Sequence, residues 1–290
     1  MTPVHIGSRR RSRARRGTAL LAALVTIALL ASVTAMASRA ARDSAAIAVN
    51  SRAQAVARAM AESGVLAARV GLEEALTGAG ADSTALDAVF DALTREARSA
   101  TPRAFAADSL GDGVYAATIV NVSARLDVNT AGAEGLARLF RTVAPAGAAD
   151  RIAARLAARV RGDAVSRPAR DSAAVRDSLA AALLGRPTSP RLMRPFASLD
   201  EVETLLGADA PWLGRVAEEL TVDGDGRIDR RHASSAVLAA ASGSLVDRPT
   251  RLLVVARGWQ AGHPLTREIQ AVYAVEGTEL RLVRWRERDR

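Results

Sequence analysis

The hydrophobic pattern changes character three times along the chain. Residues 18–38, TALLAALVTIALLASVTAMAS, carry no charge and are mostly apolar. About twenty such residues at ~1.5 Å each span the ~30 Å hydrocarbon core of a bilayer. From Arg39 to about Leu76 the apolar run gives way to a one-sided stripe. Val49, Ala53, Val56, Met60 and Ala67 recur at helical spacings, and no proline interrupts the chain between Thr18 and Pro102. Good helix formers dominate, so the pattern predicts one helix over 18–76, roughly 90 Å long.

Beyond that helix the period shortens. Residues 77–112 are rich in Gly, Ala, Asp and Ser around a helical patch, Leu86 to Ala97. GVYAATIVNVSARL (113–126) alternates and is β-branched, which predicts a strand. Three more short strands are expected at 251–258, 268–275 and 279–286, as an antiparallel meander. In the second of them Ile269, Ala271, Tyr273 and Val275 share one face. The residues between the first strand and these three read as helices, punctuated by Pro145, Gly162, Pro168, Gly185-Arg186-Pro187, Pro190 and Pro195. Three helix starts stand out. Asn129 or Thr130 is placed to cap GAEGLARLF, Ser198 and Glu201 form a capping box before VETLLG, and a turn at Gly226–Asp229 precedes RHASSAVLAAA.

The expected class is therefore α+β. A long N-terminal transmembrane or pilin-type helix would lead into an antiparallel β-sheet head with a large inserted α-helical domain. The boundaries expected are a basic leader over 1–17, the hydrophobic helix over 18–76, the α/β head over 77–126 and 245–290, and the helical insertion over 127–244.

Charge refines this picture. The net charge is +9, but the first 17 residues hold six arginines and no acid, which leaves +3 for the rest. Bulk charge thus points to an N-terminus held on the cytoplasmic side rather than to a nucleic-acid partner. Every basic residue is arginine. The absence of cysteine excludes disulfides, thiolate metal sites and cysteine nucleophiles.

The junction Arg16-Gly17-Thr18-Ala19-Leu20-Leu21 resembles a prepilin peptidase site, cut after Gly17 so that the mature chain begins at Thr18 with its apolar run intact. Ordinary signal cleavage near Ala35-Met36-Ala37 is the alternative.

Four features in order resemble the K-type minor pseudopilin of bacterial type II secretion systems, the general secretion pathway protein K family. They are the cut site with its apolar helix; Leu126-Asp127-Val128-Asn129-Thr130-Ala131; Arg194-Pro195-Phe196-Ala197-Ser198-Leu199-Asp200-Glu201-Val202; and Leu220-Thr221-Val222 with Gly226-Arg227-Ile228-Asp229 leading into Ala233–Leu238. Ala22 stands fifth after the cut, where most pilin-like proteins have glutamate and the K-type subunit characteristically does not. Two positions depart from the family pattern. Arg231 and His232 replace Asn and Thr, removing that helix's usual cap, and Val160–Asp163 lacks the tryptophan and most of the acids of an expected acidic segment.

The resemblance implies a non-enzymatic tip or initiation subunit of the periplasmic pseudopilus that supports protein export. It would be a single-pass protein of the bacterial inner membrane, N-terminus cytoplasmic and C-terminal domain periplasmic. Its implied partners are the other minor pseudopilins and the major pseudopilin, through the N-terminal helix, with prepilin peptidase as processing enzyme. No nucleic acid is expected and no cofactor is required. Ca2+ occurs in relatives, and Asp223 and Asp225 are its candidate ligands here. Their loop is not an EF-hand, since counting from Thr221 puts His232 at the twelfth position, and a glycine-rich turn is the simpler reading. The alternatives are a minor pilin of a related type IV pilus and a membrane-anchored nucleic-acid-binding module resembling helix-hairpin-helix proteins. The arginine-rich runs 151–163 and 281–290 would serve that module; a solvated arginine face is their plain reading. The residues predict His5, His232 and His263 as surface groups, Trp212 as a plug of the helical block, and Trp259 and Trp285 as sheet packing.

Overall fold

The structure, a computed structural model, describes the backbone of residues 11–97, 104–161 and 195–289, and their side chains except those of 11–19, 97 and 289. Pro102, Gly162 and Asp163, the Pro and Gly punctuation between Pro168 and Pro190, and Arg194 lie outside the described residues. The chain divides into two compact units, residues 1–55 and 56–290.

The first unit is the N-terminal part of helix α1, which runs unbroken over Arg11–Ala79. It starts ahead of the expected Thr18, because arginine favours helix and one glycine does not break it. From Leu20 to Met36 the large apolar side chains are 54% to 71% exposed. Hydroxyls in this stretch turn inward along the helix. Thr26, Ser32 and Thr34 donate to the carbonyls of Ala22, Ala28 and Leu30, each at 2.8 Å. Each of these hydroxyls thus has a partner within the helix.

In the second unit α1 ends where Gly80 takes φ +58 and its N–H reaches the Leu76 carbonyl, a glycine stop that lets the chain turn into α2 (Ser83–Ala97). A five-stranded antiparallel sheet follows in the order β1-β2-β7-β8-β9. Its strands are β1 (Ala106–Leu110), β2 (Gly113–Asn121), β7 (Arg251–Gln260), β8 (Thr266–Glu276) and β9 (Glu279–Asp289). Ala61, Val65, Ala68, Leu72 and Leu76 of α1 form one core with Leu86 and Phe90 of α2 and with Ala117, Ile119, Leu252, Val254, Ala256, Ile269, Ala271 and Tyr273 of the sheet. The alternation read at Ile269, Ala271 and Tyr273 thus faces α1. The helix lies very close to the sheet: a β-carbon on Gly258 would stand 2.3 Å from both the Ala57 carbonyl oxygen and the Ala61 nitrogen.

Two expectations change. β1 lies outside the expected strands: AADSL shows no apolar alternation and is almost wholly exposed at a sheet edge, where none is needed. The strand expected over 113–126 stops at Asn121, whose side chain accepts from the Ala124 N–H at 3.2 Å and starts a 3-10 turn, Val122–Ala124.

The helical block enters after β2 and leaves before β7. Those strands are neighbours, with Asn121 opposite Leu252, so the insertion occupies what would be a hairpin connection. Its elements are β3 (Leu126–Asp127), α3 (Gly132–Phe140), α4 (Ala146–Val160), α5 (Leu199–Leu206), α6 (Ala210–Val216), β4 (Leu220–Thr221), β5 (Ile228–Asp229), α7 (Ser235–Ala240) and β6 (Leu245–Val246). They enclose a second core that includes Leu126, Leu136, Phe140, Ile152, Leu156, Phe196, Leu206, Leu220 and Val237, with Trp212 packed against it.

β9 makes ion pairs with both α1 and the insertion. Leu282, Trp285 and Glu287 oppose Tyr273, Ala271 and Ile269 on the α1 side, and Glu287 pairs with Arg58 at 2.9 Å. Arg284, Arg286 and Arg288 face the opposite side, where Arg288 pairs with Asp200 of α5 at 3.0 Å. Trp285 is 39% exposed, so it is a surface residue of the last strand rather than buried sheet packing. Edge position explains this, since β9 has a neighbour on one side only.

Candidate functional site

Three parts of the molecule carry the expected functional residues. The first is the apolar half of α1. Gly17 and Thr18 lie in its helical backbone, and their side chains are outside the described residues. One helix among the described residues is long and apolar enough to cross a membrane, and it is the α1 segment beginning at Leu20. Nine large apolar side chains between Leu20 and Met36 are more than half exposed, which makes this stretch a candidate membrane anchor.

The second part is a pair of matching turns in the helical block. At Asp127 the side chain accepts from the Asn129 N–H at 2.9 Å while the carbonyl accepts from Thr130 and Ala131. At Asp229 the side chain accepts from the Arg231 N–H at 3.1 Å while the carbonyl accepts from His232 and Ala233. Each aspartate ends a short parallel bridge, β3 with β4 and β5 with β6. The likeness between the two helix starts is therefore a repeat of backbone geometry.

Asn129 and Thr130 do not cap α3. The helix begins at Gly132 after Ala131, with no side-chain cap. Asn129 instead ties three segments: its amide donates to Phe196 O at 3.1 Å and Val222 O at 3.2 Å, and its oxygen accepts from Phe196 N–H at 2.7 Å. Those partners are distant in sequence, which is why spacing alone assigns Asn129 to a cap. At α5, Ser198 Oγ accepts from the Glu201 N–H at 3.3 Å and the Glu201 carboxylate accepts from the Ala197 N–H at 3.2 Å. The cap expected to be lost at α7 has moved two residues on, where Ser234 Oγ accepts from the Val237 N–H at 3.2 Å.

The third part is a cluster of charge where the block meets β9. Asp223 is buried, and its carboxylate accepts from Arg284 at 3.1 Å and from Arg286. Asp225 accepts from the Arg227 guanidinium at 2.9 and 2.7 Å and from the Thr250 hydroxyl at 3.1 Å. Burial alone would raise the Asp225 carboxyl, but these bonds hold it below the usual range. Asp127 lies beside them: burial, reinforced by the Asp223 charge, pushes its carboxyl up to about 6 against the Asn129 N–H that opposes the shift. This donor set does not fit a dication. Calcium takes six to eight oxygens with its carboxylates free to bind, and here Asp223 and Asp225 already hold guanidinium groups. Among the described residues no group of three or more His, Asp or Glu side chains converges as a metal site.

His232, expected at the surface, is buried. Its Nδ1 lies 2.6 Å from the fully buried Asp229 and its Nε2 2.7 Å from Asp91 of α2. Arg231 beside it pairs with Asp87 of α2, which Arg248 also holds at 2.9 Å. The hydrogen bonds from Arg248 and Arg231 keep the Asp87 carboxyl below its usual value. Arg231 and His232 thus connect the insertion to α2. Nothing local in the sequence points to α2 as their partner.

Arginines of the two basic runs also have partners inside the chain. Arg151 and Arg155 meet Asp209 at 3.0 and 3.6 Å, and Arg281 meets Glu276 at 2.6 Å. Arg159 lies over the Phe196 ring, 5.5 Å from its centroid.

Compared with family profiles and with curated proteins, the sequence matches none. Among solved structures the chain is similar to one in the crystal structure of the GspK-GspI-GspJ complex from the enterotoxigenic Escherichia coli Type 2 Secretion System. The identity is 16% and the TM-score 0.45, over 73% of this chain and 94% of that one.

Proposed function

We propose that the chain is a minor pseudopilin of a type II secretion system, acting as tip and initiation subunit of the periplasmic pseudopilus. One observation carries the reading: a single unbroken helix, apolar and exposed over its first membrane length, enters an α/β head along its second part. A cleaved secretory signal has no reason to continue without a break into a packed helix. The prepilin-like junction at Gly17-Thr18 and the ordered motifs around Asn129, Ser198 and Asp229 support the same reading. The role is structural and assembles subunits. The exposed α1 surface would be covered first by the inner membrane and then by the helices of neighbouring pseudopilins. Ala22 supports the tip position, since the glutamate that other pilins are thought to use toward a neighbour's N-terminal amine is missing. The bulk of the insertion also suits an end of a filament better than its middle. Prepilin peptidase would cut between Gly17 and Thr18, leaving the head periplasmic.

Replacing Gly17 with alanine tests this. The variant is expected to accumulate as unprocessed precursor on an immunoblot and to abolish export by the secretion system. Normal processing of Gly17→Ala contradicts the proposal.

A further inference from the structure

We propose that Arg284 and Arg286 are the built-in cations of the Asp223 cluster, and that the helical insertion docks on the sheet without a divalent ion. A loop rich in Asp and Gly, Asp223-Gly224-Asp225-Gly226, looks like a cation loop in sequence. In the fold its two carboxylates point at guanidinium groups. Asp223 is only 4% exposed and accepts from two arginines of β9 through its two separate oxygens. Arg286, itself 16% exposed, also donates to the Ala197 carbonyl, so one side chain joins β9, the Asp223 loop and the start of α5. These are the bridging contacts a structural ion would make, formed here by a planar multidentate donor.

The cleft of about 270 Å³ beside this loop is bordered by Asp127, Asp225 and Arg227. Arg227 already holds Asp225, and Arg251 lies 3.9 Å from the same carboxylate oxygen. Asp127 is a buried acid whose charged form is disfavoured there. A dication entering the cleft would have to displace fixed arginines and ionise that acid, whereas guanidinium groups neutralise the loop as the chain folds. A buried carboxylate stripped of such a partner is strongly destabilising. The inference concerns how the head holds together and stands whether or not the chain enters a filament.

Thermal unfolding of the full-length protein in detergent micelles tests it, followed by tryptophan fluorescence in EDTA and in millimolar calcium. Trp212, packed against the core of the insertion, reports on its unfolding. The wild type is expected to melt at the same temperature in both conditions. Arg286→Met is expected to melt lower by roughly 6 °C or more. A saturable calcium-dependent rise in wild-type melting temperature overturns the proposal, as does an Arg286→Met variant that melts like wild type. If Arg286→Met does not fold, the wild-type comparison alone decides, because a calcium-held cluster must respond to EDTA.

Discussion

Asp127 is the residue at which burial and charge are most in tension. Its carboxyl titrates near 6 in the fold against a reference of 3.8. The folded state therefore binds the proton more tightly than the unfolded chain. That contribution to stability is complete below about pH 4 and is lost as pH rises through about 6, a change of about 3 kcal/mol. Asp127→Asn keeps an oxygen for the Asn129 N–H and removes the titration. It is expected to melt higher than wild type at neutral pH, with the difference shrinking as pH falls toward 4. A difference independent of pH in thermal melts contradicts this. At this scale the sequence was a partial guide. It marked Asp127, Asn129, Ser198 and Asp223 as special, because short polar residues before apolar runs signal turns and caps. It assigned the right geometry to Ser198 and Glu201, whose partners lie within four residues. It misassigned Asn129 and His232, whose decisive partners are on α2, before α5 and after β4. Spacing along a chain carries no information about contacts of that range.

Elements were legible in proportion to how much apolar surface they bury. The second part of α1 and the strands β7 and β8 bury whole faces, and their periods of 3.6 and 2 are plain in the sequence. β1 buries almost nothing and left no signal. The closeness of α1 to β7 was equally hidden, because a glycine in a strand has several meanings. In the fold Gly258 is the point of closest approach, with the α1 backbone where a side chain would stand. Gly258→Ala is expected to lift the helix from the sheet and to destabilise the head by about 1–3 kcal/mol. Chemical denaturation measures this, and unchanged stability would mean that the helix packs more loosely against β7.

At the scale of the whole molecule, the chain places a large helical insertion between two strands that already pair with each other. Holding the ends of an insertion together costs little more as it lengthens, so a block of this size is tolerated without disturbing the register of β2 and β7. Each half then keeps its own core, and arginines of β9 and the Asp87–Arg231–Arg248 contacts join them. The remaining surface that calls for an explanation is the apolar half of α1. Its fate after export distinguishes a filament subunit from a secreted domain. The mass of the mature protein purified from membranes measures that fate directly. The account predicts a chain that has lost residues 1–17 and begins at Thr18, with the apolar segment retained. A mature chain beginning beyond residue 37, without that segment, would contradict it.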